Sequence, residues 1–459
     1  MNTNMKTLTP PAPFFGEDLF LSTPEARRLY EAVRDLPIVD PHCHLDENAI
    51  AEDRRFSSLG ELWLGGDHYK WRAMRICGVD EHFITGDATY DEKFRKFAQI
   101  FPKLCGNPLY YWAQLELKIL FGVTEPLCSE SADRILAAAN EQLKDMTVRD
   151  LLAKFRVEYL ATTDDPASPL SAHGRYGNTT VAPTFRPDGV LLLDPAALER
   201  LENAVGHPLN TPDDLKAALA ERLDYFAAHG CRITDHGMDL LPVEDPGEET
   251  AAAIYARRTK ANADEKQAFS AHLLRWLAGE YQKRGLVMQL HFGTYRNVNR
   301  AMFAVAGRDA GFDVMRAQVD ADRLAVFLSD LSSKKALPKT ILYSLEPSVM
   351  PAVATVSGAF PNVRVGAAWW FNDTVAGNRK QLEIAAEYTA LGMDLGMLTD
   401  SRSFSSYARF DFFRRILADF VGGYVARGEY DANAAEELMR DICYCNIKEF
   451  LGLKGGPAA

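Results

Sequence analysis

Short apolar runs rich in β-branched residues recur along the chain, and each is followed by polar residues and then a helical stretch. Strands that alternate with helical crossovers are typical of a parallel sheet in an α/β fold. Eight strands are predicted, at residues 37–45, 157–165, 179–188, 231–239, 286–293, 339–346, 363–371 and 394–402. Because eight parallel strands close a barrel, we predict an α/β fold of the (β/α)8 TIM-barrel type. An open doubly wound sheet is the structural alternative, although it requires no such even number of strands.

Helical patterns fill the intervals between the predicted strands. One helix is predicted to begin after Thr211, with Pro212 at its first position, and to stop at Gly230. The interval after the first strand is too long for a crossover and is rich in aromatic residues, so we predict a helical insertion there. The four predicted parts are an N-terminal helical extension at 1–36, the barrel at 37–45 and 156–404, the insertion at 46–155, and C-terminal helices packed on the barrel at 405–459.

Composition and charge restrict the classes of partner. The chain has 459 residues, of which 47% are apolar and 25% charged, the balance of a soluble globular protein. Its net charge of −12 argues against nucleic acid and anionic membranes as partners, and an anionic substrate would need a local basic pocket. The chain has neither a bilayer-spanning apolar run nor a signal-peptide pattern at its start, so we expect a cytoplasmic protein. A homo-oligomer is left open.

The seven cysteines are scattered along the chain and show no paired CxxC spacing. Cys443 and Cys445 could form half of a metal site, but no second pair accompanies them. Buried free thiols in a reducing compartment are the better interpretation.

Several predicted strands end in residues that can bind metals or transfer protons. His42 and His44 follow the first strand and, because strand side chains alternate, are expected to point to the same side. His291 closes the fifth strand, and Asp400 closes the eighth, which would neighbour the first in a closed barrel. Imidazoles and a carboxylate at the catalytic end of a barrel suit one divalent ion, with Zn²⁺ the first candidate. We predict that His42, His44 and Asp400 hold this ion, with His291 nearby as a further candidate ligand. The alternative is a set of histidines and a carboxylate held only by structural hydrogen bonds.

Longer strings carry a more specific resemblance. The HxH pair with His291 and Asp400 resembles the amidohydrolase superfamily, and the surrounding strings resemble its uronate isomerase family. The matching strings, which run from about residue 38 to the C-terminus, are FSSLGELWLGGDHYKWRAMRICGVDE (56–81), GNPLYYWAQLEL (106–117), TTDDP (162–166), TFRPD (184–188), MQLHFGTYRNVN (288–299), WWFND (369–373) and GMLTDSRSFSSYARFDFFRRIL (396–417). DHYKWR and TDSRSF are the least expected by chance.

The resemblance implies an aldose–ketose isomerase that interconverts glucuronate and fructuronate, and galacturonate and tagaturonate, in hexuronate catabolism. Such a reaction moves a proton between C2 and C1 through an enediol, and it needs a base and a group that stabilises the oxyanion. Asp400 is the candidate base, and Arg402, two residues on, is the candidate stabiliser. For His68 and Tyr69, in the inserted segment, the resemblance implies roles in ring opening and proton transfer to oxygen; a packed aromatic loop is the alternative.

Substrate binding is expected to fall to basic and aromatic residues at the ends of strands. Arg186 ends the third strand and can bind a carboxylate with two hydrogen bonds, although a salt bridge with Asp188 would be an alternative use. Of Trp369 and Trp370, one is expected to face the pocket and the other the core. Arg296, within the matched string at 288–299, is expected to contact the substrate as well.

Two other functions fit part of the pattern. A metal-dependent hydrolase of an amide, ester or lactone could use the same scaffold. The sixth strand, however, carries Ser344 and Glu346 where hydrolytic members of the superfamily often have a histidine, and no lysine ends the fourth strand. A non-catalytic protein that binds sugar acids would have no need of the full set of carboxylate, histidine and arginine side chains. Both alternatives are therefore disfavoured.

Overall fold

The structure, a computed structural model, describes residues 13–454. Residues 1–12 and 455–459, which belong to the predicted N- and C-terminal parts, lie outside this range. The strands are β1 (Ile38–Asp40), β2 (Val157–Ala161), β3 (Gly174–Tyr176), β4 (Thr179–Ala182), β5 (Thr184–Phe185), β6 (Ile233–Met238), β7 (Val287–Phe292), β8 (Thr294–Tyr295), β9 (Val314–Met315), β10 (Thr340–Ser344) and β11 (Val363–Val365).

Helices make up most of the rest. Before β2 lie α1 (Pro24–Val33), α2 (Glu47–Ala51), α3 (Leu59–Leu64), α4 (His68–Ile76), α5 (Tyr90–Ile100), α6 (Pro108–Phe121), α7 (Ala132–Leu143) and α8 (Val148–Lys154). After β5 come α9 (Asp188–Leu191), α10 (Pro195–Val205), α11 (Pro212–Ala228), α12 (Glu248–Ala256), α13 (Ala263–Arg284), α14 (Arg300–Ala306), α15 (Ala321–Ser333), α16 (Met350–Gly358), α17 (Val375–Tyr388), α18 (Ala408–Ala426), α19 (Ala432–Arg440) and α20 (Asn446–Phe450). Short 3₁₀ turns stand at Glu81–Phe83, Phe101–Leu104, Arg258–Lys260, Pro347–Val349, Trp370–Asn372 and Leu391–Met393, and a π-helical turn at Asp441–Cys445. Among the described residues no helix is long and apolar enough to cross a bilayer.

The parallel strands follow one another in chain order. β1 pairs with β2 and β2 with β4, while β5 pairs with β6, followed by β7, β10 and β11. β4 and β5 are one strand interrupted at Pro183, which has no N–H for a ladder, and a parallel bridge between Asp164 and Phe185 joins the two sheets there. Seven of the eight predicted strands are thus found, and the α/β class is confirmed.

The eighth predicted strand, at 394–402, is wrong as a regular strand. Gly396 and Asp400 adopt φ angles of 72° and 48°, which an extended strand does not contain. The segment nevertheless lies beside the end of β1, because the Asp400 N–H donates to the His42 carbonyl and the His44 N–H to the Ser401 carbonyl. It therefore takes the position of an eighth strand without forming a ladder.

A buried apolar cluster lies inside this ring of strands. It includes side chains from all eight strand positions, among them Val39, Tyr159, Ala182, Ile233, Val287, Ile341, Trp369 and Leu398. Contact of β1 and β2 residues with residues that follow β11 is what a closed barrel requires. The cluster supports closure of the barrel between β11 and the 394–402 segment, although no backbone ladder in the described range joins them.

The N-terminal, inserted and C-terminal helices share a second core. Aromatic and aliphatic residues of α1, α3, α5, α6, α7 and α18 form one buried cluster that continues to the outside of β1 and β2. The division of the chain into four parts, with the boundaries given above, stays a prediction. The cysteines are free, but the prediction that they are buried holds only for Cys43, Cys231 and Cys443, whereas Cys105 is exposed.

We predict that Gly422 in α18 is required for the close packing of α18 on α1. A Cβ at this position would lie 2.6 Å from the backbone N and Cα of Ala26, whereas one at Gly423 would meet only the flexible end of Arg427. Both substitutions by alanine gain about 1 kcal/mol of helix propensity, but overlap with a helix backbone costs about 1–3 kcal/mol. Urea unfolding should show Gly422→Ala destabilised and Gly423→Ala unchanged or stabilised. Equal stability of the two variants would contradict this packing.

Candidate active site

The candidate site is a cavity of about 260 Å³ at the carboxyl ends of the parallel strands. Active sites of parallel α/β barrels lie at this end. Every site residue that the sequence predicted lines the cavity except Tyr69, which contacts a lining residue. The lining residues are His42, His44, His68, Thr163, Arg186, Gly237, His291, Arg296, Asp309, Trp369, Trp370, Asp400 and Arg402.

Asp400 is held next to both histidines of the HxH pair. Its Oδ1 lies 3.2 Å from the Nε2 atoms of His42 and His44. The strand expected at 37–45 ends earlier, at Asp40, and the buried Asp40 carboxylate instead accepts the Thr399 N–H at 3.1 Å and the Thr399 hydroxyl at 2.5 Å. These bonds fix the residues before Asp400 against the residues before the histidines, so the three side chains converge without a strand pair.

The other oxygen of the Asp400 carboxylate has two neutral donors. Oδ2 accepts hydrogen bonds from the Tyr69 hydroxyl at 3.1 Å and from the Trp369 indole N–H at 3.0 Å. Burial by itself would raise the pKa of Asp400, but the hydrogen bonds from His42 and His44 outweigh burial and hold the pKa well below its ordinary value. Asp400 is therefore ionised at neutral pH, and contacts with two side chains hold each of its oxygens in position.

Asp235 is a site residue that the sequence interpretation missed. It is fully buried on β6, and its Oδ1 lies 2.7 Å from His291 Nδ1, while its Oδ2 lies 3.0 Å from Arg186 and 3.8 Å from His42 Nδ1. A signal was available, because Ile233 fills the barrel interior and strand alternation puts residue 235 on the same side. The Asp235 pKa lies well below its ordinary value because Arg186 and the histidines outweigh burial.

Two overlapping groups of side chains could hold a metal ion. One is His42, His44 and Asp400, as the sequence predicted, and the other is His42, Asp235 and His291. Burial lowers the pKa of His44 to about 4 and also lowers that of His291, so both imidazoles are neutral and able to coordinate. The buried Nε2 of His291 has no hydrogen-bond partner in the described structure. His291 belongs to the second group, which shares His42 with the first.

The basic residues of the cavity are Arg186, Arg296 and Arg402, and each of them is paired with at least one aspartate. Arg186 binds Asp188 at 2.8 Å as well as Asp235, so the salt bridge considered as an alternative exists alongside its position in the cavity. Arg402 pairs with Asp309 at 3.1 Å. Asp309 was also missed, because it lies in a loop between α14 and β9, at a φ of 56°, where no strand pattern marks it. Burial would lower the pKa of Arg186, but Asp235 and Asp188 raise it, so its charge is permanent.

His68 and Tyr69 reach the site from the first turn of α4. The Asp67 carboxylate caps this helix by accepting the Tyr69 and Lys70 N–H groups and also binds the Lys70 ammonium at 2.6 Å. The His68 and Tyr69 rings stack with centroids 4.7 Å apart. The inserted helices thus contribute one wall of the cavity, and the two residues are more than a packed aromatic loop.

The expectation that one of the two tryptophans faces the pocket and the other the core is wrong. Both Trp369 and Trp370 line the cavity, and both also belong to the buried interior cluster. The chain turns between them, since Trp370 has a φ of 55° and begins a 3₁₀ turn. Strand alternation, on which the expectation rested, ends at Val365 in β11.

Comparison with known proteins decides the family. A family model described as glucuronate isomerase matches residues 12–451. A protein named uronate isomerase from Marinomonas sp. (strain MWYL1) is 42% identical over 96% of this chain and 99% of its own length. Another of that name, from Lachnospira eligens, is 39% identical over the same shares of the two chains. The chain belongs to the uronate isomerase family. The family predicted from the sequence strings is thereby confirmed.

Solved structures agree with this assignment. The uronate isomerase of Thermotoga maritima superposes with a TM-score of 0.93 at 35% identity, covering 96% of this chain and all of that one. The glucuronate isomerase of Caulobacter crescentus gives 0.90 at 29% identity, with 96% and 98% coverage. A putative metal-dependent hydrolase from Lactobacillus casei shares the fold at a TM-score of 0.55 and 15% identity, covering 92% of this chain and 97% of that one. Members of the uronate isomerase family are aldose–ketose isomerases, so an enzyme is confirmed.

Proposed function

We propose that this chain interconverts hexuronic acids and their ketose isomers, glucuronate with fructuronate and galacturonate with tagaturonate. The observation that carries the proposal is one cavity that is lined by an ionised carboxylate, Asp400, and by the guanidinium groups of Arg186, Arg296 and Arg402. An aldose–ketose isomerase for a sugar acid needs a proton acceptor for carbon and a fixed cation for the substrate carboxylate. A cytoplasmic location remains a prediction from the sequence, and the oligomeric state stays open.

The proton transfer is assigned to Asp400. With the sugar carboxylate held by Arg186, C2 of the open chain would stand near Asp400, which takes its proton and returns it to C1. A carboxylate with a low pKa returns a proton to carbon readily, so its acidity suits the second half of the transfer. Arg402 would stabilise the negative charge on oxygen in the enediolate, because its charge is fixed and it lines the same cavity.

His68 and Tyr69 are assigned to the substrate oxygens. Tyr69 donates to Asp400 and keeps its proton at neutral pH, since burial and Asp400 raise its pKa well above the ordinary value. The pKa of His68 is lowered by burial and by Arg402, so a neutral imidazole can accept a proton during ring opening and pass it to oxygen. Their stacked rings place both polar groups beside the cavity.

A single divalent ion, with Zn²⁺ the first candidate, fits the residues present. His42, His44 and Asp400 offer two imidazole nitrogens and a carboxylate oxygen, the mixture that borderline divalent ions prefer. The unpartnered Nε2 of His291 and the Asp235 carboxylate extend the donor set towards the other side of His42. When bound, the ion would supply Lewis-acid polarisation of substrate oxygens.

A hydrolase has no comparable support. Ser344 hydrogen-bonds the backbone carbonyl of Glu346, and the Glu346 carboxylate caps the next turn by accepting the N–H groups of Ser348 and Val349. The likeness to the Lactobacillus casei protein concerns the fold alone. A binding protein without activity would not need an ionised Asp400 that accepts hydrogen bonds from Tyr69 and Trp369.

Substrate charge provides the direct test of the proposed function. Purified enzyme should convert glucuronate to fructuronate, whereas glucose should be a poor substrate. Arg186→Met should raise KM for glucuronate by a factor equivalent to about 2–5 kcal/mol, because the carboxylate would lose its buried partner. Arg364→Met, remote from this cavity, is the matched control. Equal turnover of glucose and glucuronate by the wild type would remove the carboxylate site from the mechanism.

Metal analysis tests the ion. Protein purified without chelator should contain about one equivalent of divalent metal per chain, and His42→Ala should lower this content because His42 belongs to both candidate groups. His272→Ala, in α13 and outside both candidate groups, should leave the metal content unchanged. A fully active preparation without metal would refute the ligand assignment while leaving the isomerase assignment intact.

Isotope exchange tests Asp400 as the base. Asp400→Asn keeps the size of the side chain but cannot accept a proton from carbon, so turnover should fall by about 10²–10⁴-fold, or further if the metal is lost. With substrate deuterated at C2, the wild type should show a primary kinetic isotope effect if proton abstraction limits the rate. The variant should bind substrate yet fail to release deuterium to solvent. Exchange at the wild-type rate in the variant would move the base to His68 or Tyr69.

A further inference from the structure

Gly237, at the carboxyl end of β6, lies on the floor of the cavity beneath two arginines. A side chain at this position would collide with the Nη2 group of Arg186. The same Cβ would lie 3.2 Å from Arg296 Nη2 and 3.1 Å from an oxygen of Asp188. The two guanidinium groups therefore converge on the point where every other amino acid would place its Cβ.

The glycine is required for space rather than for backbone conformation. Gly237 continues β6 in register with β7, opposite His291, and does not have a positive φ. Any residue could adopt this conformation, and a glycine inside a strand weakens the strand. Within a strand, such a glycine marks a place where a ligand or another group comes close to the backbone.

Both arginines have acidic partners that oppose a movement away from Gly237, and those of Arg186 are the closer. Arg186 is held by Asp188 and Asp235, which also bind the Gly237 N–H and His291. Arg296 lies between Asp239 at 3.5 Å and Asp313 at 3.4 Å. The acidic partners contact Nε and Nη1 of each guanidinium group, while the two Nη2 atoms lie at the Cβ position of Gly237. A Cβ there would push these Nη2 atoms out of position or break partly buried ion pairs.

We propose that Gly237 is a positioning residue for the substrate carboxylate. Its bare Cα lets Arg186 and Arg296 bring their Nη2 groups to one place, where both can donate to the same carboxylate. The inference rests on the proposed function, and it adds the reason why the two cations can share one anion. Gly237 takes no part in the chemistry, so its effect should fall on substrate binding.

A double-mutant cycle with Arg186 tests this role. Gly237→Ala should raise KM for glucuronate about tenfold or more while kcat stays within about threefold, because binding rather than proton transfer is impaired. Arg186→Lys removes the group that the new methyl would strike. In the Arg186→Lys background, Gly237→Ala should therefore raise KM by less than about threefold, since effects of residues in contact are not additive. Gly279→Ala, in α13 where a Cβ would meet only Ala336 Cβ at 3.7 Å, is the control.

The cycle distinguishes a positioning role for Gly237 from a purely structural one. KM does not depend on the concentration of active enzyme, so partial unfolding does not imitate the expected result. If Gly237→Ala fails to fold, adding Arg186→Lys should restore a folded protein, and failure of the double variant would place the requirement in the backbone and overturn the inference. The inference would also be overturned if Gly237→Ala raised KM by the same factor with Arg186 present and with Arg186→Lys. A wild type that converts no hexuronate would instead overturn the proposed function.

Discussion

The buried carboxylate of Asp40 holds together the part of the barrel on which the site depends. Where β1 ends, the sheet has no ladder to the 394–402 segment, and the two hydrogen bonds that Thr399 donates to Asp40 take its place. Burial raises the pKa of Asp40 to about 6, and the bonds from Thr399 act in the opposite direction. Because Asp400 follows Thr399 directly, an error of one residue in this connection would turn the Asp400 carboxylate away from His42 and His44.

The 394–402 segment can direct Asp400 towards the histidines because it is not a regular β-strand. In a regular strand, Thr399 and Ser401 would point to one face and Asp400 to the other, and the backbone N–H groups would be used in pairing. The left-handed conformation of Asp400, which aspartate tolerates better than most residues, turns the chain so that its N–H reaches the His42 carbonyl. The backbone bond and the side-chain contact with His42 then support the same arrangement.

The sequence predicted what depends on periodicity and failed where local geometry decides. Apolar runs marked seven strands, and the polar residues at their ends marked His42, His291 and Arg186 correctly as cavity residues. The regular strand at 394–402 was wrong because Gly396 and Asp400 have positive φ angles. The division between Trp369 and Trp370 was wrong because β11 ends at Val365, before both tryptophans. Asp235 was not predicted, although alternation places it on the interior side, because it lies inside the predicted strand at 231–239 and not at its end. Asp309 gave no signal in the pattern, because its position depends on a loop and a single pairing with Arg402.

Charge pairing explains how a chain with a net charge of −12 can hold three cations in one cavity. Burying unpaired guanidinium groups would be costly, and Asp235, Asp188, Asp309 and Asp313 reduce that cost. The same pairing lowers the attraction that the cavity exerts on any anion at a distance. What remains is directional: arginine arms held in place by their acidic partners can bind a carboxylate only where their free N–H groups point. Such a cavity has a lower affinity for anions in general, but it can hold one anion in a fixed orientation. A proton transfer between adjacent carbons requires an oriented substrate.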